Sequence, residues 1–211
     1  MSPFVNIGNV PFDLNVLSSL YPEVKHIREK ARLLESDGII IRIKRGLYVA
    51  SPEETGKDIN RNLIANHVYG PSYVSLFTAL RHYGLIPEQV HLVQSLSTKH
   101  TRKFETPVGY FDYENCSPEY FHIGVTIEKE EDVTYLIASP EKALCDCINY
   151  SRGVNLKFMK DVATYLEQDI RFDMDALLAL DIATIEACAP FSRKTQSIKT
   201  LIKYIKHERH L

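Results

Sequence analysis

The sequence predicts an α+β protein in two parts, and three features of the chain predict it. Its beginning carries two helix signals followed by a single short hairpin signal, its middle is rich in β-branched and aromatic residues, and its end is helical in periodicity. With 211 residues, of which 45% are hydrophobic and 25% charged, the chain is long enough to bury a core and has the composition of a soluble globular protein. We expect a small first part over residues 1–52 and a mixed part over residues 58–211 with a β-rich core and a helical C-terminal end.

The first part is predicted to begin with two helices. Asp13 can cap a short helix over Leu14–Leu20, and Pro22 suits the first turn of a second helix that runs to about Ser36. Apolar residues recur at helical spacing in this second helix and form its expected buried stripe: Val24, Ile27, Ala31 and Leu34.

A hairpin is predicted directly after the second helix. Gly38 ends the helix, and strands over Ile39–Ile43 and Leu47–Ala50 flank a turn in which Gly46 can adopt a positive φ. A short helix, a longer helix and a hairpin, in this order, are typical of a winged helix-turn-helix. In that design one helix enters the DNA major groove while the hairpin lies on the adjacent backbone.

Positive charge is concentrated in this part of the chain. Residues 21–45 contain seven Lys and Arg against four Asp and Glu, although the whole chain has a formal net charge of -2. The candidate phosphate contacts are Arg28, Arg32, Arg42, Lys44 and Arg45. The candidates for reading base edges, near the predicted start of the second helix, are Lys25, His26 and Glu29. The alternative interpretation is a solvated basic surface, since charge clusters of this size are common.

The second part is predicted to alternate between helices and strands. After a linker over Ser51–Lys57, two helices are expected over about Asp58–Val68 and Tyr73–Tyr83, the latter capped by Ser72. Aromatic and β-branched runs predict strands within Val90–Leu96, Val108–Tyr113, Tyr120–Ile127 and Val133–Ala138. Five helices are then expected over about Pro140–Tyr150, Leu156–Gln168, Asp173–Leu180, Ile182–Ala187 and Ser192–Glu208.

Patterns that suggest an enzyme have simpler explanations in this sequence. Ser139 and Lys142 match the S-x-x-K pattern of serine acyl enzymes, but the S-D-N and K-T-G elements of those enzymes are absent, and Ser139 followed by proline fits a helix start. Cys145 and Cys147 would point to different faces of one helix, and the histidines lack a metal-ligand spacing. We therefore predict no catalytic residues, no metal and no cofactor.

The C-terminal run is basic and amphipathic. Its lysines share one face, and these are Lys199, Lys203 and Lys206. That face could meet a nucleic acid, a membrane or an acidic protein, or the helix could simply dock on its own domain through its isoleucines. Residues 105–146, by contrast, contain ten Asp and Glu against two Lys and Arg. An alternative function is therefore a protein-interaction module that binds a partner through this acidic middle and the basic C-terminal helix, without sequence-specific DNA binding.

Three stretches, in their order and spacing, resemble the AbiE-type antitoxins, a family of bacterial transcriptional regulators from abortive-infection toxin–antitoxin systems. They are "LLESDGIIIRIKRGLYV" at Leu33–Val49, "SYVSLFTALRHYGLI" at Ser72–Ile86 and "YLIASPEKALCDCI" at Tyr135–Ile148. The resemblance implies an N-terminal winged helix that represses its own operon and a C-terminal domain with antitoxin activity. It also implies a co-encoded nucleotidyltransferase toxin, which the antitoxin need not bind stably. Inverted operator repeats would call for a homodimer.

The sequence also predicts a location. No apolar run reaches the roughly 18 residues that cross a bilayer, and the N-terminus lacks a basic segment followed by an apolar one, so we expect neither a membrane anchor nor a signal peptide. Four cysteines in a chain of this length do not suggest a disulfide framework. We expect reduced thiols in a cytoplasmic protein.

Overall fold

The computed structural model describes residues 3–88 and 91–210, and their fold is α+β. Val90, at the start of one predicted strand, and the chain ends included in the two predicted parts lie outside these ranges. In chain order the helices are α1 (Leu14–Leu20), α2 (Ile27–Ser36), α3 (Pro52–Thr55), α4 (Arg61–Val68), α5 (Leu76–His82), α6 (Pro118–Phe121), α7 (Pro140–Tyr150), α8 (Met159–Thr164), α9 (Met174–Ala179), α10 (Ile182–Cys188) and α11 (Thr195–Glu208). The strands are β1 (Ile40–Lys44), β2 (Leu47–Ala50), β3 (Ser72–Val74), β4 (Val93–Ser97), β5 (Arg102–Thr106), β6 (Gly109–Asn115), β7 (Val125–Glu130) and β8 (Val133–Ala138).

Helix α1 has the predicted bounds and cap. The Asp13 carboxylate accepts hydrogen bonds from the backbone N–H groups of Asn15 and Val16 at 2.9 and 3.0 Å. These bonds satisfy two donors that have no partner inside the helix. They also hold the pKa of the Asp13 carboxyl below its ordinary value, with the bond from Val16 as the largest cause.

Substitution of the α1 cap should lower stability in a pH-dependent way. Because the Asp13 pKa is lower in the folded chain, its stabilisation is complete above the ordinary carboxyl pKa and is lost as the pH falls through the folded value. We expect Asp13→Ala to lower the free energy of unfolding by about 1 kcal/mol at pH 7. Urea denaturation at several pH values measures this. Asp13→Asn, which keeps an accepting oxygen but cannot titrate, should retain most of the stability and lose this pH dependence; a loss as large as in the alanine variant would contradict the cap.

Helix α2 begins at Ile27, five residues after the predicted start at Pro22. Pro22 instead occupies the second position of a turn in which the Val24 N–H donates to the Tyr21 carbonyl at 3.0 Å. Proline fixes a φ that suits both a β-turn and a first helical turn, so the sequence signal was ambiguous. The C-terminal end of the helix is as predicted, with Gly38 at φ 73° directly after it.

Strands β1 and β2 form the predicted antiparallel hairpin. Arg42 pairs with Tyr48 and Lys44 with Leu47, and a bulge leaves Ile43 unpaired between them. The bulge places Ile43 in the interior while both neighbouring cations face outward. On the other edge of the hairpin, the Tyr48 backbone makes two hydrogen bonds with that of Phe12, which forms an isolated bridge.

The hairpin lies between two hydrophobic clusters. The smaller cluster has as its buried members Phe4, Phe12, Leu17, Ala31, Leu34, Ile40, Tyr48 and Ala50. Ile43 and Val49, on the other face of the hairpin, belong to the larger cluster formed by the rest of the chain. The hairpin is therefore packed on both faces, and its tip is what remains exposed. The predicted linker over Ser51–Lys57 is wrong in its middle, because Pro52 begins the short helix α3, which ends at Gly56.

The second part is built on a six-stranded mixed sheet with the order β5-β6-β4-β3-β8-β7. Strand β3 lies at its centre, antiparallel to β4 and parallel to β8. The sequence predicted a helix here with Ser72 as its cap, which is wrong: Ser72 is the first residue of β3, and Ser75 is the N-cap of α5. A strand of three residues is too short for an alternation signal, and its two neighbouring strands determine its structure.

The sheet carries helices on both faces. Tyr113 on β6 donates from its hydroxyl to the Ala65 carbonyl of α4 at 2.7 Å. Asp112, the preceding residue, points to the opposite face together with its partner Gln94 on β4. The Gln94 side-chain oxygen accepts from the Phe77 N–H of α5 at 3.2 Å. Helix α4 therefore covers one face and α5 the other, with α7 packed beyond α5.

Two other predicted segments differ from the structure, and one strand was not predicted. The first residues of the predicted strand Tyr120–Ile127 belong to the short helix α6, and β7 starts only at Val125. Strand β5 was not predicted, because its polar composition lacks a strand pattern. The predicted helix Leu156–Gln168 is α8 followed by a π-helical turn over Tyr165–Asp169.

Candidate nucleic-acid interface

The predicted DNA-contacting residues on and before α2 are all exposed. Arg28 and Arg32 lie four positions apart on the helix and so share a face, with Glu29 beside Arg28. Because α2 begins at Ile27, Lys25 and His26 lie in the turn that leads into it. His26 occupies the N-cap position, and its side chain makes no capping hydrogen bond. Both side chains therefore project ahead of the helix end.

The arginines of this region have no carboxylate partner. Six ion pairs join described residues, and none of them involves a residue before Lys57. Over the described ranges, no carboxylate oxygen lies within 4.0 Å of the four guanidinium groups, which belong to Arg28, Arg32, Arg42 and Arg45. Their planar forks of N–H donors are the groups that best match phosphate oxygens. Because Glu29 lies beside them, the face is not uniformly basic.

Lys44 has an intramolecular partner that the sequence did not predict. Its ammonium donates a hydrogen bond to the carbonyl of Val68, the last residue of α4. A cation here is stabilised by the negative end of the helix dipole. Burial, together with the positive charges of Lys99 and Arg102, lowers the pKa of Lys44. Lys44 therefore fixes the hairpin tip to the second part and leaves Arg45 as the freer of the two tip cations.

A second basic segment lies beside Lys44, and the sequence analysis did not single it out. Lys99 and His100 in the turn between β4 and β5, and Arg102 at the start of β5, are exposed. The Lys99 ammonium lies 5.3 Å from the ring centre of Tyr69, and the Arg102 guanidinium lies 4.9 Å from that of Phe104. Cations interleaved with aromatic rings are a common feature of nucleic-acid-binding surfaces. The signal in the sequence was the run "KHTRK", which follows no amphipathic pattern.

The basic C-terminal helix docks on its own domain. The apolar side chains of α11 lie in the larger hydrophobic cluster, and these are Ile198, Leu201, Ile202 and Ile205. Lys199, Lys203 and Lys206 are exposed, as predicted, and Lys206 pairs with Glu186 at 2.7 Å. The structure thus places these three lysines on a different element from the hairpin and α2.

The S-x-x-K residues are not arranged as an acyl-transfer site. The Ser139 hydroxyl accepts from the Lys142 N–H as a helix N-cap. The Lys142 side chain is fully buried, and its ammonium donates to the Tyr120 carbonyl at 3.0 Å and lies 3.4 Å from the Asp146 carboxylate. The ammonium group that would activate the serine in the S-x-x-K pattern is thus engaged by Tyr120 and Asp146.

Asp146 is the centre of a buried polar network. Its carboxylate accepts hydrogen bonds from the hydroxyls of Ser75 at 2.6 Å, Tyr120 at 2.7 Å and Tyr73 at 3.2 Å. Burial raises the pKa of Tyr73 and Tyr120 well above the ordinary value, so both hydroxyls keep the protons that they donate. The network joins β3, the start of α5, α6 and α7, and its hydrogen bonds hold these elements together.

Within the described ranges, no three His, Cys, Asp or Glu side chains are grouped so that they could hold a metal ion. All four cysteines are buried and unpaired, and burial raises the pKa of Cys116 to about 11. Residues 3–88 and 91–210 include no helix with the length and apolar character needed to span a bilayer.

No protein-family model matches the chain, and no curated protein matches it.

Proposed function

We propose that the protein is a DNA-binding transcriptional repressor of its own operon and the antitoxin of a co-encoded nucleotidyltransferase toxin. The observation that carries the DNA-binding part is the set of four exposed arginines without carboxylate partners on α2 and the hairpin. Their order on a helix and a following hairpin supports a winged helix-turn-helix over residues 1–52. The Phe12 bridge to Tyr48, which adds a third extended segment to the hairpin, also supports this fold.

In the proposed complex, α2 lies in the major groove and the hairpin tip lies on the adjacent backbone. Lys25, His26 and Glu29 then reach base edges, while Arg28 and Arg32 contact phosphates that flank the groove. Arg45 meets the backbone beyond the groove. If all five predicted phosphate contacts engage, the logarithm of the affinity falls with the logarithm of salt concentration with a slope on the order of -4 to -5 per half-site.

The second part would extend the same binding surface. Lys99 and Arg102 are near enough to Lys44 to lower its pKa, so the positive surface continues from the hairpin tip onto the β4–β5 turn. A duplex that lies across the tip would meet these side chains next. Sequence readout would remain with α2, because the turn offers cations for phosphates and no element that fits a groove.

The antitoxin role rests on the resemblance to the AbiE-type antitoxins, which implies a neighbouring nucleotidyltransferase toxin. Four buried, unpaired thiols are compatible with the reducing cytoplasm of a bacterium, where such a system would act. Two protomers would be needed on an inverted repeat. The alternative is an interaction module that binds a partner through its acidic middle and the basic C-terminal helix, and it would use the exposed lysine face of α11, because the apolar face is covered by its own domain.

The test uses the full chain and the DNA upstream of its own gene. In an electrophoretic shift assay we expect that duplex to be retarded at lower protein concentration than a shuffled duplex of equal length and composition. Equal retardation of both duplexes, or none at low salt, would contradict a sequence-specific repressor. Separately, co-expression should rescue growth from the neighbouring toxin, and failure of rescue would contradict the antitoxin role while leaving the DNA result to stand.

A further inference from the structure

A large cavity lies on the α5 side of the six-stranded sheet. It has a volume of about 950 Å³. Its floor is formed by side chains of neighbouring strands that share one face: Gln94, Lys103, Glu105, Tyr110 and Asp112. Phe77 of α5 and the side chains of Glu88, His91 and Leu92 form the walls. The volume is within the usual range for small-molecule sites.

Carboxylates dominate the polar groups of this cavity. Three of them line it, Glu88, Glu105 and Asp112, and the basic groups of the lining are the ammonium of Lys103 and the imidazole of His91. The Lys103 ammonium is bonded to one oxygen of Asp112 at 2.7 Å. The Tyr110 hydroxyl contacts Glu105 at 3.3 Å, so that carboxylate has no cationic partner in the described part of the chain. The lining thus offers more acceptors and more negative charge than its own donors satisfy.

One of these carboxylates, Glu88, has an oxygen without a hydrogen-bond partner among the described residues. The first oxygen of Glu88 accepts both hydrogen bonds from the Arg171 guanidinium, which lowers the pKa of Glu88 and keeps it ionised. Its second oxygen is shielded from solvent and has no hydrogen-bond partner among the described residues. A ligand N–H group in the cavity could donate a hydrogen bond to this oxygen.

Aromatic rings complete the chemistry of the cavity. Phe77 and Tyr110 line it from opposite elements, and Tyr110 is 57% exposed although it is a large ring. Aromatic faces beside carboxylates favour organic cations, since the ring quadrupole and the carboxylate charge attract the same group. We propose that this cavity binds an organic cation, an ammonium or guanidinium-type group on an apolar body. The cation's N–H groups would donate to Glu88, Glu105 and Asp112, and its apolar body would lie between the two rings.

Calorimetric titration of the full-length protein tests the proposal with matched probes. Benzamidine, a planar cation with N–H donors, should bind, and benzamide, its uncharged counterpart of the same shape, should bind at least tenfold more weakly. Glu105→Gln and Tyr110→Ala, both at exposed positions, should each weaken benzamidine binding several-fold, and Asp112→Asn should do the same. Glu53→Gln on α3 serves as a control of equal charge change and should have no effect.

A second pair of probes distinguishes a protein partner from a small metabolite as the source of the cation. A capped tripeptide Ala-Arg-Ala and free agmatine present the same guanidinium group, so tighter binding of the peptide indicates a protein partner and tighter binding of agmatine a small metabolite. The proposal is overturned if benzamidine binds no better than benzamide. It is also overturned if the dissociation constant of benzamidine exceeds about 10 mM, or if Glu105→Gln and Tyr110→Ala both leave its binding unchanged.

Discussion

Asp146→Ala is expected to lower the free energy of unfolding by about 3–5 kcal/mol. Asp146 and Lys142 are both fully buried, with 3.4 Å between the carboxylate and the ammonium group. Removal of the carboxylate leaves the lysine charge uncompensated in the interior. It also leaves the hydroxyls of Ser75, Tyr73 and Tyr120 without their acceptor. Both losses destabilise the contact between the central strand β3 and α7. Because the second part is built on this sheet, its whole stability is affected.

Urea denaturation followed by far-ultraviolet circular dichroism measures this effect. Asp112→Ala is the matched control, because it removes the acidic member of the exposed pair with Lys103 and should cost less than about 1 kcal/mol. The double variant Lys142→Met with Asp146→Leu should recover the part of the loss that comes from the uncompensated lysine charge, since it removes the buried charge together with its partner, while the three hydroxyls still lack their acceptor. A loss below about 1 kcal/mol in Asp146→Ala would show that the network is not what holds α7 against the sheet.

The elements that the sequence predicted well are those with local signals. Helix α7 has the predicted bounds because Ser139 and Pro140 mark its start, and α1 because Asp13 caps it. Strands β3 and β5 were missed for a common reason. Each is stabilised by its partners in the sheet rather than by its own composition, β3 as three residues between β4 and β8 and β5 as a polar edge strand paired with β6.

The candidate interface likewise contains features that follow from local sequence signals and features that depend on tertiary contacts. The exposure of Arg28, Arg32 and Arg45 follows from amphipathic spacing and turn chemistry, which the sequence contains. The bond from Lys44 to the end of α4 joins residues 24 positions apart and depends on how the hairpin packs on the second part. The proximity of Lys99 and Arg102 to Lys44 depends on the same packing. Tertiary contacts of this kind have no periodic signature, so the position of the basic run at Lys99 and Arg102 beside Lys44 could be found only in the structure.

The double charge reversal Arg28→Glu with Arg32→Glu is expected to weaken binding to the upstream duplex at least about 60-fold at roughly 0.1 M salt. Each lost phosphate contact lowers the decimal logarithm of the binding constant by about 0.9 at that salt concentration, and the new carboxylates repel the phosphates. Both side chains are exposed and without an ion pair, so the fold should be unaffected. A salt series should show the slope reduced in magnitude by about 2, with specific and shuffled duplexes weakened alike.

The matched control for this reversal is Lys157→Glu with Lys160→Glu, which changes the net charge equally at two exposed positions beside α8. We expect it to keep nearly all of the affinity, because charges farther from the duplex than a Debye length of about 10 Å are screened at this salt concentration. An equal loss in both variants would show that overall charge, and not α2, governs binding. Full affinity in the α2 variant would show that α2 does not lie in the groove. The surface at Lys99 and Arg102 would then be the one on which a polyanion binds.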